Sequence, residues 1–255
     1  MNVYYCEELP RGISQHQLAY LLLEYLIQSE HPEVPHPFHY EKRAGGKPWL
    51  REYPWLEFNV THCSFCVAAA CGTQSVGVDA ERRFPWKASL ARRIGTPEEL
   101  RFLESRKQGE KEAWLQRIWS RKESCLKCTG IGLRKDLRQV STLGEEELEF
   151  LKASDAEAYR AKPPGETGVK PMARPGKALE WKSDFGESKT GAIRRCAYGE
   201  DGREPEVPRW RRIEPEPGHF FWIQEFQTPE YTMAVCMKKR EPVVWSKRKP
   251  EEFIP

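Results

Sequence analysis

Residues 76–81 read VGVDAE and residues 119–133 read WSRKESCLKCTGIGL, and the fold turns on how these two stretches are read together. Side chains along a strand alternate between its two faces. As a strand, the first stretch sends Val76, Val78 and Ala80 to a core and places Asp79 and Glu81 side by side on the opposite face. Adjacent carboxylates repel each other unless a cation lies between them, and hard divalent ions such as Mg²⁺ take oxygens so arranged. Taken alone, the bland meaning is the commoner one: two acids at a solvated strand end. As a helix, the second stretch puts Glu123 and Lys127 one turn apart on one face. Alone, that is an ordinary i,i+4 pair worth about 0.3–0.5 kcal/mol. Joined to the strand, it adds a third carboxylate and an ammonium aimed at the anion a metal would bind.

Working outward, residues 58–63 (FNVTHC) place Thr61 and His62 at a strand-to-turn exit, where a hydroxyl, an imidazole and backbone N–H groups can hold a phosphate. Residues 45–48 (GGKP) form a turn with a lone Lys47, without the spacing of a Walker loop. Each is weak in isolation. Residues 13–28 carry Leu18, Leu21, Leu22, Tyr25 and Leu26 at helical spacing. The run around CVAAAC, residues 66–71, predicts a buried strand that makes a hairpin with the strand beginning at Ser75. Helices are expected over 97–107, where Pro97, Glu98 and Glu99 suit a first turn, and over about 110–128, with Gly130 as the stop. Residues 161–220 are rich in Pro, Gly and charge, which predicts a long mobile insertion. His219–Gln227 and Tyr231–Met237 read as an antiparallel pair, and the tail from 241 reads as loose.

Composition narrows the function. Of 255 residues, 39% are hydrophobic and 11% aromatic, too many for a disordered chain. A net charge of +3 argues against nucleic-acid binding by bulk charge. No stretch is long and apolar enough for a membrane span. The opening residues MNVYYCEELP lack the basic start of a signal peptide, so a cytoplasmic protein is expected, its 8 cysteines mostly reduced. Cys63/Cys66 and Cys125/Cys128 are CxxC pairs that could in principle build a Cys₄ zinc site, although their separation exceeds the usual spacing. Buried or idle thiols are the plainer alternative.

In chain order, GGKP, FNVTHC, VGVDAE and WSRKESCLKCTGIGL resemble the motif series of the Sfp-type 4′-phosphopantetheinyl transferases, and IGTPEELRFL resembles that family's intervening helix. The resemblance implies an α+β fold of two pseudo-symmetric α/β halves, residues 1–73 and 74–240, with a flexible insertion at about 155–218 and a tail at 241–255. It implies coenzyme A bound between the halves and transfer of its phosphopantetheine arm to a serine of an acyl or peptidyl carrier protein, releasing 3′,5′-ADP. Asp79, Glu81 and Glu123 would hold Mg²⁺, Lys127 would contact phosphates, and Lys47, Thr61 and His62 would contact coenzyme A. Glu123 is the expected base for the serine proton.

Several residues depart from the family pattern. The first half lacks the usual arginine-rich stretch, offering Arg11 and His16, and Thr61 and Cys63 stand where serine is common. The expected partners are coenzyme A and a carrier protein, with no nucleic acid and no membrane, and the chain is expected to be a monomer. Arg82-Arg83 and Arg92-Arg93 could steer an acidic carrier. The alternatives are a non-catalytic coenzyme A- or carrier-binding relative and a zinc-stabilised interaction protein.

Overall fold

A computed structural model of the chain describes residues 1–131, 136–160, 210–216 and 218–255. Its first sheet has the order β10-β1-β5-β4, from β1 (Asn2–Cys6), β4 (Glu57–Cys63), β5 (Cys66–Gly72) and β10 (Val244–Lys247). β5 lies antiparallel between β1 and β4, and β10 runs parallel to β1. A short pair, β2 (Tyr40–Lys42) and β3 (Pro48–Leu50), stands apart. The second sheet is antiparallel, with the order β6-β9-β8-β7, from β6 (Val76–Arg82), β7 (Trp210–Glu216), β8 (His219–Gln227) and β9 (Tyr231–Met237).

The sheets stack because the alternation along β5 feeds two cores. Val67, Ala69 and Cys71 face helix α1 (Gln15–Glu30), packing with Leu18, Leu22, Leu26 and Phe58. Cys66, Ala68 and Ala70 face the second sheet, packing with Val76, Val78, Ala80, Met233 and Val235. A run of small apolar residues is what a strand covered on both sides requires. α1 starts where Ser14 and Gln17 form a reciprocal capping box, which satisfies N–H groups that the first turn leaves free.

The other side of the second sheet packs against helix α4 (Gln108–Thr129), through Cys125, Cys128, Ile223, Ala234 and Cys236. α4 is braced in turn by α2 (Ala88–Ile94), α3 (Pro97–Glu104) and α5 (Glu145–Arg160) around Ile94, Phe102, Leu115, Ile118 and Leu151. α4 ends at Gly130, whose φ of 72° is left-handed and suits glycine.

Three expectations change. The hairpin partner of β5 is β4, through a two-residue turn at Ser64-Phe65, and β6 belongs to the other sheet. The free edge of β6 is covered by side chains of β4: Val78 N donates to Asn59 Oδ1 (2.9 Å) and Ala80 N to Thr61 Oγ1 (3.1 Å). The tail is built in: β10 completes the first sheet and buried Phe253 joins the α1 core. Of the expected insertion at 155–218, residues 155–160 continue α5 and 210–216 form β7, while 161–209 lie outside the described residues.

Candidate active site

Gly77 sets the distance between β6 and α4. A Cβ there would stand 2.0 Å from Ser124 O and 2.4 Å from Cys128 N, so helix backbone rests directly on the strand. The strand face that carries Gly77 also carries Asp79 and Glu81. Trp119, Glu123 and Lys127 follow one another at steps of four along α4 and share a stripe. The ends of that stripe reach β6: Trp119 Nε1 donates to Glu81 Oε1 (2.8 Å), and Lys127 Nζ donates to Asp79 Oδ1 (2.8 Å) and to Val78 O (3.1 Å). Glu123 stands between them on the helix. Lys127 thus bridges to the strand acid, and Trp119, not expected to have a role, orients the second acid.

Each acid feels the others in a poorly solvated setting. Burial, then the charge of Asp79, pushes the Glu81 carboxyl up to about 7, against the Trp119 hydrogen bond. Burial and Asp79 also raise Glu123, with Lys127 opposing. Asp79 Oδ2 and Glu123 Oε1 are buried without a hydrogen-bond partner. Such an acceptor carries a desolvation cost of about 1–3 kcal/mol, more when charged.

Thr61 joins this group, since its Oγ1 also accepts from Lys127 Nζ (3.2 Å). His62, next on β4, points the other way and is exposed. Its ring lies 6.4 Å from that of His16, which lines a groove of about 580 Å³ with Tyr20, Glu24 and Tyr40. Lys47 is not with the acids. It is buried at the seam of the two sheets, its Nζ on Glu57 Oε2 (3.1 Å) and Val76 O (2.9 Å).

Among the described residues, no three His, Cys, Asp or Glu side chains stand as a group ready to hold a metal ion. The expected convergence of Asp79, Glu81 and Glu123 on one ion is therefore not formed in this arrangement, because Asp79 is turned to Lys127 and Glu81 to Trp119. The chemistry of the donor set nonetheless fits a hard cation: three carboxylates, two of them with unpartnered buried oxygens, with burial and the charge of Asp79 raising the proton affinity of Glu81 and Glu123. The cysteines do not form one Cys₄ site. Cys66 lies in the core between the sheets, and Cys125 and Cys128 lie between the second sheet and α4.

The residues just before Glu123 belong to a different cluster. Arg121 is fully buried, paired with Glu225 (2.8 Å) and Glu147 (3.3 Å), and donates to Thr142 O. Lys122, also fully buried, pairs with Glu99 (2.6 Å).

Known proteins resemble this part of the chain. Residues 75–163 match the family described as "4'-phosphopantetheinyl transferase superfamily". The 4'-phosphopantetheinyl transferase psf-1 of Bacillus pumilus is 29% identical over 142 residues, covering 55% of this chain and 61% of its own length. The 4'-phosphopantetheinyl transferase Sfp of Bacillus subtilis strain 168 is 31% identical over 96 residues, 38% of this chain and 43% of its own. A putative 4'-phosphopantetheinyl transferase of Synechocystis is 34% identical over 128 residues, 47% of this chain and 51% of its own. The alignments thus span about half the length of these relatives. Over the stretch that carries Asp79, Glu81, Glu123 and Lys127, the chain is similar to the 4'-phosphopantetheinyl transferase superfamily.

Proposed function

We propose that this protein transfers the 4′-phosphopantetheine arm of coenzyme A to a serine hydroxyl of an apo acyl or peptidyl carrier protein, releasing 3′,5′-ADP. The observation that carries the reading is buried Asp79 with half-buried Glu81 and Glu123 around Lys127, two of their carboxylate oxygens being buried and unpartnered, inside the segment similar to these transferases. The two sheets, each with its own helical cover, are read as pseudo-symmetric halves with coenzyme A between them. The setting is read as cytoplasmic and the chain as a monomer; among the described residues no helix is long and apolar enough to cross a membrane.

Asp79, Glu81 and Glu123 are the residues that would hold Mg²⁺, which when bound supplies charge neutralisation at the diphosphate. Lys127 adds a second positive charge, its ammonium passing from Asp79 to a phosphate oxygen. Glu123, whose proton affinity is raised by burial and by Asp79, accepts the serine proton at its carboxylate. Thr61 holds Lys127 at the mouth of the site. His62, beside the groove at His16, is read as a contact for coenzyme A. Lys47 keeps a structural place at the seam, and a phosphate contact from it requires release from Glu57.

The test is transfer from coenzyme A, in the presence of Mg²⁺, to a panel of apo acyl, aryl and peptidyl carriers, followed by mass spectrometry. The expected result is a gain of one phosphopantetheine on at least one carrier, abolished by Glu123→Gln. Coenzyme A binding without transfer to any carrier would replace this reading with that of a non-catalytic relative.

A further inference from the structure

The tip of the β4–β5 hairpin carries a dithiol for which the transfer reaction has no use. Cys63 and Cys66 face each other directly across the ladder on either side of the two-residue turn. Opposed residues of an antiparallel pair have Cα atoms about 4.5–5.5 Å apart, inside the range of about 4.4–6.8 Å that a disulfide spans. The two Sγ atoms stand 3.7 Å apart and share a hydrogen bond. Side-chain rotation alone can bring them to a bond length of about 2.0 Å.

The pair is also asymmetric in access. Among the described residues, Cys63 is the one cysteine that is not buried, and it borders exposed Ser64 and Phe65. Cys66 lies behind it in the core between the sheets. The hydrogen bond from Cys66 holds the Cys63 thiol down to about 6 despite partial burial, while the same bond and burial push Cys66 up. The outer sulfur is thus the one suited to attack and the inner one to resolve.

We propose that Cys63 and Cys66 form a thiol–disulfide exchange site that reacts with low-molecular-weight disulfides and closes to an intramolecular disulfide. In the first step the Cys63 thiolate attacks one sulfur of the small disulfide RSSR. A mixed disulfide forms on Cys63, the RS–SR bond breaks, and RS⁻ leaves. In the second step the Cys66 sulfur attacks Cys63 Sγ, expelling the second RS⁻. Two electrons pass from the two protein thiols to RSSR, whose halves end as two RSH carrying the two cysteine protons. The product staples the end of the strand that carries Thr61 and His62. This chemistry is independent of the transfer reading.

The experiment is to treat the full-length reduced protein with excess glutathione disulfide, alkylate under denaturing conditions, and map the peptides by mass spectrometry. The Cys63–Cys66 peptide is expected to lose two hydrogen atoms and both alkylation sites, reversibly with dithiothreitol. Peptides holding Cys6, Cys71, Cys125, Cys128 and Cys236 stay alkylatable. Cys66→Ser should trap glutathione on Cys63, and Cys63→Ser should leave Cys66 free. Both thiols unmodified in the wild-type protein, or a stable glutathione adduct on wild-type Cys63, would overturn the proposal. The wild-type map decides the matter even where a variant folds poorly.

Discussion

Arg121 and Lys122 are neighbours of Glu123 on α4, yet the two cations and the acid look into different surroundings. Arg121 gives its guanidinium to Glu225, Glu147 and Thr142 O, and Arg117 adds a two-pronged bond to the same Glu225 (3.0 and 2.7 Å). Lys122 meets Glu99 and the carbonyls of Leu137 and Val140, and Glu99 fills its remaining capacity from Thr96 N and Thr142. Neither cation leaves a buried polar side-chain atom unpartnered, whereas Asp79 Oδ2 and Glu123 Oε1 are left so. A buried charge that is fully paired supports the fold, and breaking it is expensive. A buried charge held among like charges costs stability and awaits a ligand. A single turn of helix therefore carries both an architectural cluster and a candidate functional one, on different faces.

The comparison breaks first on Glu123→Gln. Removing the proposed base should lower transfer to a carrier protein by about 10²–10⁴-fold, read from the rate of mass gain. The same change removes one of three mutually repelling acids, so the urea midpoint should stay level or rise. A large fall in stability with activity intact would make Glu123 architectural.

Arg121→Met tests the other cluster. It leaves Glu225 and Glu147 buried with part of their counter-charge gone, and a loss of about 3–5 kcal/mol in urea unfolding is expected. Adding Glu225→Gln should recover part of that loss, because the two residues share one network. Gly77→Ala ranks next. The added methyl meets helix backbone that cannot swing aside, and overpacking of this kind costs about 1–3 kcal/mol. It also forces α4 away from β6, so transfer should fall with stability, unlike in Glu123→Gln.

These contrasts mark where sequence reading succeeds. Signals written in neighbouring residues were legible: α1 was expected over 13–28 and spans Gln15–Glu30, and α4 was expected over about 110–128 and spans Gln108–Thr129. The alternation in VGVDAE correctly separated Val76, Val78 and Ala80 from Asp79 and Glu81. What eluded the reading depends on partners far along the chain. β6 pairs with β9 across some 150 intervening residues, and its other edge is met by Asn59 and Thr61 side chains in place of a β5 hairpin. The tail looked loose because four residues of strand carry little signal until β1 is there to pair with them. Nothing near Arg121 and Lys122 in sequence announces their buried partners Glu225 and Glu99. Trp119 at four residues before Glu123 was the one site signal available and unused: an indole on the same stripe as the acid can only point where the acid points.

The smallest expected effect is with pH, and its sign follows from the architectural cluster. Burial works to raise the Glu225 carboxyl, but the Arg121 and Arg117 guanidinium groups outweigh it and hold it well below the ordinary carboxylate range. Burial is likewise overcome by Arg121 and Arg211 at Glu147, which is also lowered. A carboxyl lowered on folding contributes stability that is complete above its unfolded value, about 4.3, and is lost as pH falls towards the folded value. These two acids should therefore add nothing to the change between pH 7 and 5. Below about pH 4.3 each should contribute a fall of at most about 1.4 kcal/mol per pH unit. Urea midpoints measured down to pH 3 check this, with Glu225→Gln as the control. That variant should start less stable at pH 7 and show a shallower acid slope, since the unfolded chain then has one carboxylate fewer to protonate. An equal slope in both proteins would mean that acid sensitivity arises elsewhere, and Glu225 would lose its standing as the anchor of the Arg117–Arg121 pair.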